Sequence, residues 1–265
     1  MRNRKYLFII ILISTFYLYQ NSYAQTKGEV IYKTVLEKEK FNEVDSRLIF
    51  NGAVSLFIFA HNINESNTTH AVDHDVEDIE NAVITFAIEK PLSNYEKVFI
   101  DRKNNEVIST DYFYQNRKFR KCTIQESTGL FAWTITGNSK EIGSYTVHEA
   151  LTTFRGRNYK AWFTYNIPVD AGPWKFHGLP GLILEVTDDE LGVQFYATSI
   201  EIPTKRDFEI NTPDEGIIMT IEDFAKTKEN VEEEFIELIM SKLPRGVSAS
   251  FSTTKKANRN IEREY

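Results

Sequence analysis

A single cysteine, Cys122, in 265 residues rules out an internal disulfide and with it a disulfide-stapled scaffold. A four-cysteine zinc site is excluded on the same count. Cys122 follows Lys121 inside a strand-like run, and reads as a buried structural thiol rather than one that pairs with another molecule. The signatures of several enzyme classes are also missing. There is no Gly-x-Ser-x-Gly elbow, no phosphate loop, no zinc-protease helix motif and no dinucleotide fingerprint. Basic residues fall short of acidic ones, 31 against 38. A nucleic-acid or anionic-lipid surface needs basic patches, so neither is expected, and plain solubility accounts for the balance.

What is present begins with an export signal. Arg2, Arg4 and Lys5 give a positive start, Tyr6 to Tyr19 form a largely apolar run, and Ser22 and Ala24 offer small residues for cleavage. That run is about 14 residues long, where a bilayer core needs about 20, so a cleaved leader fits better than an anchor. No cysteine follows it, which excludes lipid attachment there. Nothing later is long and apolar enough to span a bilayer. The expected organisation is a signal peptide over 1–24, one β domain over 25–254 and a basic tail over 255–265. The mature chain is then expected in the periplasm or outside the cell, or associated with the outer membrane.

From Gly28 onward, strand follows strand. Val30, Tyr32 and Thr34 alternate with charged or polar neighbours in the period of two of a half-buried strand. Arg47 to Ala60 is a longer run, with Asn51-Gly52 as a turn or bulge. Further strands are expected over 82–88, 95–101, 107–114, 118–125, 130–136, 145–154, 159–165, 182–186 and 193–202, with a last one over 247–253. Gly137-Asn138-Ser139, Arg155-Gly156-Arg157 and Asp188-Asp189 are among the turn signals between them. Pro180 and Gly181 suit the central positions of a type II turn, with positive φ at Gly181. The absence of helical crossovers indicates an antiparallel meander. The fold class is therefore mainly β: a single curved antiparallel sheet or open barrel-like meander with one C-terminal amphipathic helix. That helix is placed over 220–243, capped by Thr220, stapled by Met219 against Phe224, and stopped by Pro244 and Gly246. Residues 61–81 are polar, acidic and without periodicity, and read as a long loop.

The hexapeptide Gly178-Leu179-Pro180-Gly181-Leu182-Ile183 resembles the signature of the bacterial GLPGLI family. Its flanks are similar too: Tyr145, Phe154-Arg155-Gly156-Arg157, Ala161-Trp162, Ile167-Pro168, Gly172-Pro173 and Phe176. The specific likeness covers Tyr145 to Val186. The ending 258–262 departs from it, with Arg259-Asn260 where members carry Asn-Pro, and no cysteine stands near Val147. The resemblance implies an exported, β-rich envelope protein and carries over no activity.

Candidate sites divide into three groups. Trp162, Trp174, Phe176 and His177 surround the signature in an aromatic-rich set with Trp133, Tyr159, Phe163 and Tyr165. Such rings are either core or the lining of a concave apolar surface for a lipid tail, a peptide or a partner strand. Gly178, Pro180 and Gly181 are assigned to a structural turn. His177 could serve a hydrolase only if a Ser or a carboxylate pair converged on it. Glu185, Asp188 and Asp189 read as a solvated hairpin tip. His61, His70 and His74, with Asp73 and Asp75, are weak metal candidates, since the segment lacks a helical pattern to align them. No cofactor is expected. The reading that results is an exported, non-catalytic protein that binds or carries an apolar ligand, or assists an outer-membrane partner. An unfamiliar hydrolase using His177 and metal handling through 61–75 are the alternatives. Intact-mass measurement of the exported chain is expected to place its N-terminus at Gln25; retention of residues 1–24 would mean an anchor instead.

Overall fold

The structure, a computed structural model, describes residues 27–36, 43–60, 95–115, 118–229 and 240. The strands are β1 (Lys27–Leu36), β2 (Glu43–Asn51), β3 (Val54–Ala60), β4 (Tyr95–Asp101), β5 (Glu106–Gln115) and β6 (Lys118–Ser127). They continue with β7 (Thr134–Ile142), β8 (Tyr145–Phe154), β9 (Arg157–Thr164), β10 (Leu182–Asp188), β11 (Val193–Glu201) and β12 (Ile217–Thr220). The helix α1 (Ile221–Glu229) follows. The twelve strands among the described residues form one open sheet, in the order β12-β6-β5-β4-β3-β2-β1-β11-β10-β9-β8-β7. Two meanders, β1 to β6 and β7 to β11, are joined where β1 pairs antiparallel with β11. Among the described strands the exception to the antiparallel pattern is at one edge, where β12 runs parallel to β6.

Connectivity dictates the curvature. β6 and β7 lie ten strand spacings apart in the sheet yet are joined by only residues 128–133. A flat sheet would separate them by about 48 Å, whereas the linking chain reaches at most about 25 Å. The sheet must therefore curl until its two halves face each other. Alternation then gives each strand an inner and an outer side. Val30, Tyr32, Phe50, Phe57 and Val98 from the first half meet Ala150, Tyr159, Ala161, Phe163 and Phe195 from the second in one buried core. The Tyr32 hydroxyl, donated to the Ile183 carbonyl at 2.6 Å, ties the halves across that core.

Two smaller clusters lie elsewhere on the sheet. Ile49, Leu56, Phe99 and Ile108 are packed against by Phe208 and Ile210. Phe113, Cys122 and Ile124 receive Phe224 of α1, with Met219 beside it as expected of a staple. The Asp223 amide donates to Thr220 Oγ1 at 3.2 Å, so the cap is in place. Cys122 is fully buried, as its strand position implied.

Two turn assignments need correction. The segment Gly137-Asn138-Ser139 does not end a strand. Residues 130–133 are irregular, β7 starts at Thr134, and the register shift between Ile135 and Ser139 absorbs the extra residues as an irregularity within the strand. Gly181, for its part, does not carry the positive φ; Gly178 does, at 91°. Gly181 is required for closeness instead, because a Cβ there would overlap the Thr164 carbonyl oxygen. The Arg155-Gly156 turn behaves as anticipated, with φ of 44° and 75°, the pair of positive values that a type I′ hairpin needs. The expected leader, the 61–81 loop, the strands at 82–88 and 247–253, the helix beyond Glu229 (save Met240) and the basic tail lie outside the described residues. Gly181→Ala is expected to cost about 3 kcal/mol through overpacking against the Thr164 carbonyl, measured by urea unfolding. Gly137→Ala, at an exposed position with open space around it and no positive φ, is expected to cost far less.

Candidate functional site

Residues 165–181 connect β9 to β10 by passing through the interior. Ile167, Val169, Ala171, Trp174, Phe176 and Leu179 all join the central core. Phe176 is its hub, with ring centroids 4.9 Å from Tyr159, 5.1 Å from Phe131 and 5.2 Å from Trp174. Burying such a ring contributes about 1.5–3 kcal/mol. The connection meets its backbone needs locally: Leu182 N donates to Ile167 O at 2.9 Å and Ile183 N to Ala171 O at 3.0 Å. Trp133 Nε1 donates to His177 O at 2.8 Å, so the irregular stretch before β7 also holds this segment.

A buried ionic cluster fastens it. Glu126, near the end of β6, pairs with Arg155 in the β8–β9 turn and with Lys175 of the internal segment. The side chains of Glu126 and Lys175 are only 3% and 2% exposed. Burial by itself would push the Glu126 carboxyl up. The charges of Lys175 and Arg155 reverse that and hold it below the usual glutamate range. A second buried pair, Arg157 with Asp188, joins β9 to the end of β10, and Asp188 Oδ1 accepts from the Val193 amide at 2.8 Å.

Outside the sheet the chemistry is different. On β8, β9 and β10 the outward residues form rows of mixed polarity: Glu149, Trp162 and Glu185 in one, Leu151, Lys160 and Thr187 in the next. Glu149 accepts from Thr136 Oγ1 at 2.8 Å and Asn138 Nδ2 at 2.7 Å, and these bonds from Asn138 and Thr136 hold its carboxyl low. Lys140 lies 4.4 Å from the Trp162 ring centre and donates to Glu185 at 2.7 Å. Beside these rows is a groove of about 870 Å³, running from Thr134 of β7 to the turn after β10. Its floor carries a hydrogen-bonded chain. Thr153 Oγ1 donates to Asn158 Oδ1 at 2.8 Å, and Asn158 Nδ2 donates to Asp189 Oδ2 at 3.0 Å.

Residues 155–185 match the model of a family described as a protein of unknown function, Porph_ging. No curated protein matches the chain. Two solved structures of PNGF-II, in space groups P21 and C2, are similar at 19% and 20% identity, with TM-scores of 0.48 and 0.47. Each likeness covers 76% of this chain but only 33% and 32% of the other, so this chain spans about a third of the length of those proteins.

Of the residues singled out in the sequence, Trp174, Phe176 and His177 come together in the interior, as packing. Trp162 does not join them; it lies on the opposite face, between the inward-facing Ala161 and Phe163. His177 is buried, its Nδ1–H donated to the Lys175 carbonyl at 2.7 Å and its ring edge-on to Phe131. Among the described residues, no Ser, Cys or carboxylate hydrogen-bonds that ring. Gly178, Pro180 and Gly181 form the corner that delivers the chain into β10. Asp188 departs from the solvated tip expected of it, because Arg157 draws it inward, while Asp189 remains exposed. No group of three metal-ligating side chains occurs among the described residues, and His61, His70 and His74 lie outside them. The sequence reading missed Glu126, Arg155 and Lys175 as a cluster. Arg155 stood in a quoted motif, but nothing local to Glu126 signals its partners.

Glu126 binds fewer protons folded than unfolded, so its contribution to stability rises with pH across the acid range. That contribution is complete above the unfolded glutamate value of about 4.3 and is lost as pH falls through the lower folded value. Glu126→Gln, which leaves two buried cations without their shared carboxylate, is expected to lose about 3–5 kcal/mol at pH 7 in urea unfolding. It is also expected to show a flatter loss of stability below pH 5 than the parent.

Proposed function

We propose that this chain is a non-catalytic binding protein of the bacterial envelope, a GLPGLI-type member, that meets its ligand on the outer face of β8, β9 and β10. The observation that carries the reading is the filling of the interior. The concave space that would hold a carried apolar ligand is occupied by Trp174, Phe176 and Leu179 of the same chain. The buried charges are matched to one another: Glu126 to two cations and Asp188 to Arg157. Sites of chemistry hold titratable groups open to a substrate, and these are closed. The outer groove, about 870 Å³ and lined by Ala132, Leu151 and Leu191 among threonine, asparagine and aspartate side chains, lies within the size range of small-molecule sites. The leader-like first 24 residues support the envelope location, and the family match over 155–185 is compatible with the hexapeptide resemblance.

Native mass spectrometry of protein extracted gently from its own envelope tests the proposal. An added mass is expected that Leu151→Asp removes without changing the unfolding midpoint. Protein that emerges bare from every preparation overturns the reading, as does a turnover reaction that is lost in folded His177→Ala.

A further inference from the structure

We infer that the outer groove takes an uncharged saccharide, whose adjacent hydroxyls are received by Asn158 and Asp189; this rests on the outer-face reading above. Thr153, Asn158 and Asp189 stand on β8, β9 and the turn after β10, held in line by bonds of 2.8 and 3.0 Å to one another. The Asp189 amide also donates to the Asn158 carbonyl at 3.2 Å, which anchors the turn to β9. After these bonds Asn158 keeps one N–H to give, and Asp189 keeps Oδ1 to accept, on exposed side chains. A donor beside an ionised acceptor is what two neighbouring hydroxyls require, since each both gives and accepts. Bonds to a carboxylate are the stronger kind. The side chains are already ordered by their mutual bonds, so little rotamer freedom is lost on binding.

The rest of the groove fits the same class. Leu151 and Leu191, 40% and 45% exposed, offer apolar contact for the C–H faces of a sugar ring. Thr134 and Thr187 add hydroxyls at the two ends of one cross-strand row, three strand spacings or about 14 Å apart. The other charges of the lining are engaged: Lys160 pairs with Glu149 at 3.5 Å, and Asp188 is turned to Arg157. An anionic ligand is therefore met by the exposed Asp189 carboxylate and disfavoured. An acyl chain would strip water from Asn158, Asp189 and the threonines without replacing their hydrogen bonds. A peptide adding as a strand needs open main-chain groups, and at the groove floor those of β9 are committed to β8 and β10.

Amide chemical shifts of the 15N-labelled chain, titrated separately with four probes, provide the test. The probes are cellotriose, triacetylchitotriose and mannotriose for the saccharide class, and dodecanoate for the acyl class. At least one trisaccharide is expected to shift amides of 151–153, 158–160 and 187–191 saturably. Asn158→Ala and Asp189→Ala are each expected to weaken that binding at least ten-fold with the unfolding midpoint retained, and Lys103→Ala, on a distant turn, to leave it unchanged. Thr153→Val serves as a milder variant should either fail to fold. Dodecanoate shifting these amides while no trisaccharide does would overturn the saccharide assignment and leave outer-face binding standing. Silence of the groove amides to all four probes would overturn the inference, and with a bare native mass would remove both readings.

Discussion

One carboxylate, Glu126, connects parts of the chain that the sheet order sets far apart. It stands on β6, near one edge, and its two cations come from the β8–β9 turn near the other edge and from the segment inside. Taking three charges out of water is expensive unless each finds its partners. Here each favourable contact requires the sheet to be curled and the internal segment to be seated. Curvature, interior packing and ion pairing are therefore one condition.

That condition gives residues 176–183 a part in the packing. Leu179 and Phe176 supply the apolar surface that fills the curled sheet, and Gly181 lets the chain pass the Thr164 carbonyl on its way into β10. Gly178 turns the backbone at positive φ, beside the Trp133 indole. His177, singled out in the sequence, and Lys175, which was not, are both spent on holding this segment. Trp162 escapes it only by parity: one step along a strand moves a side chain through the sheet. The outer face on which it lies is polar and braced by short side-chain bonds rather than by packing. That bracing gives order without closing the surface to solvent.

Much of the fold was legible from residues alone. Period-two alternation marked β1, β8, β9 and β11 to within a few residues, the Arg155-Gly156 pair announced its hairpin, and Thr220 with Met219 marked the start of α1. These are local signals, set by backbone geometry and by neighbours one to five positions away. The β7 irregularity was misread because glycine and asparagine favour turns, whereas pairing with β8 absorbed them into a strand. The parallel strand β12 carried no local mark, since its partner β6 lies about ninety residues earlier.

The sequence by itself determined the strand-rich character, the helix cap and the burial of Cys122, because each depends on short-range pattern or on residue type. Only the tertiary structure decided which side of each strand meets the core, which charges are matched and where open surface remains. Those depend on contacts such as Glu126 with Lys175 and Tyr32 with Ile183, between residues far apart along the chain. Such pairs arise only once closing the sheet has offset the entropy of bringing distant segments together, and nothing in the order of residues records that balance locally.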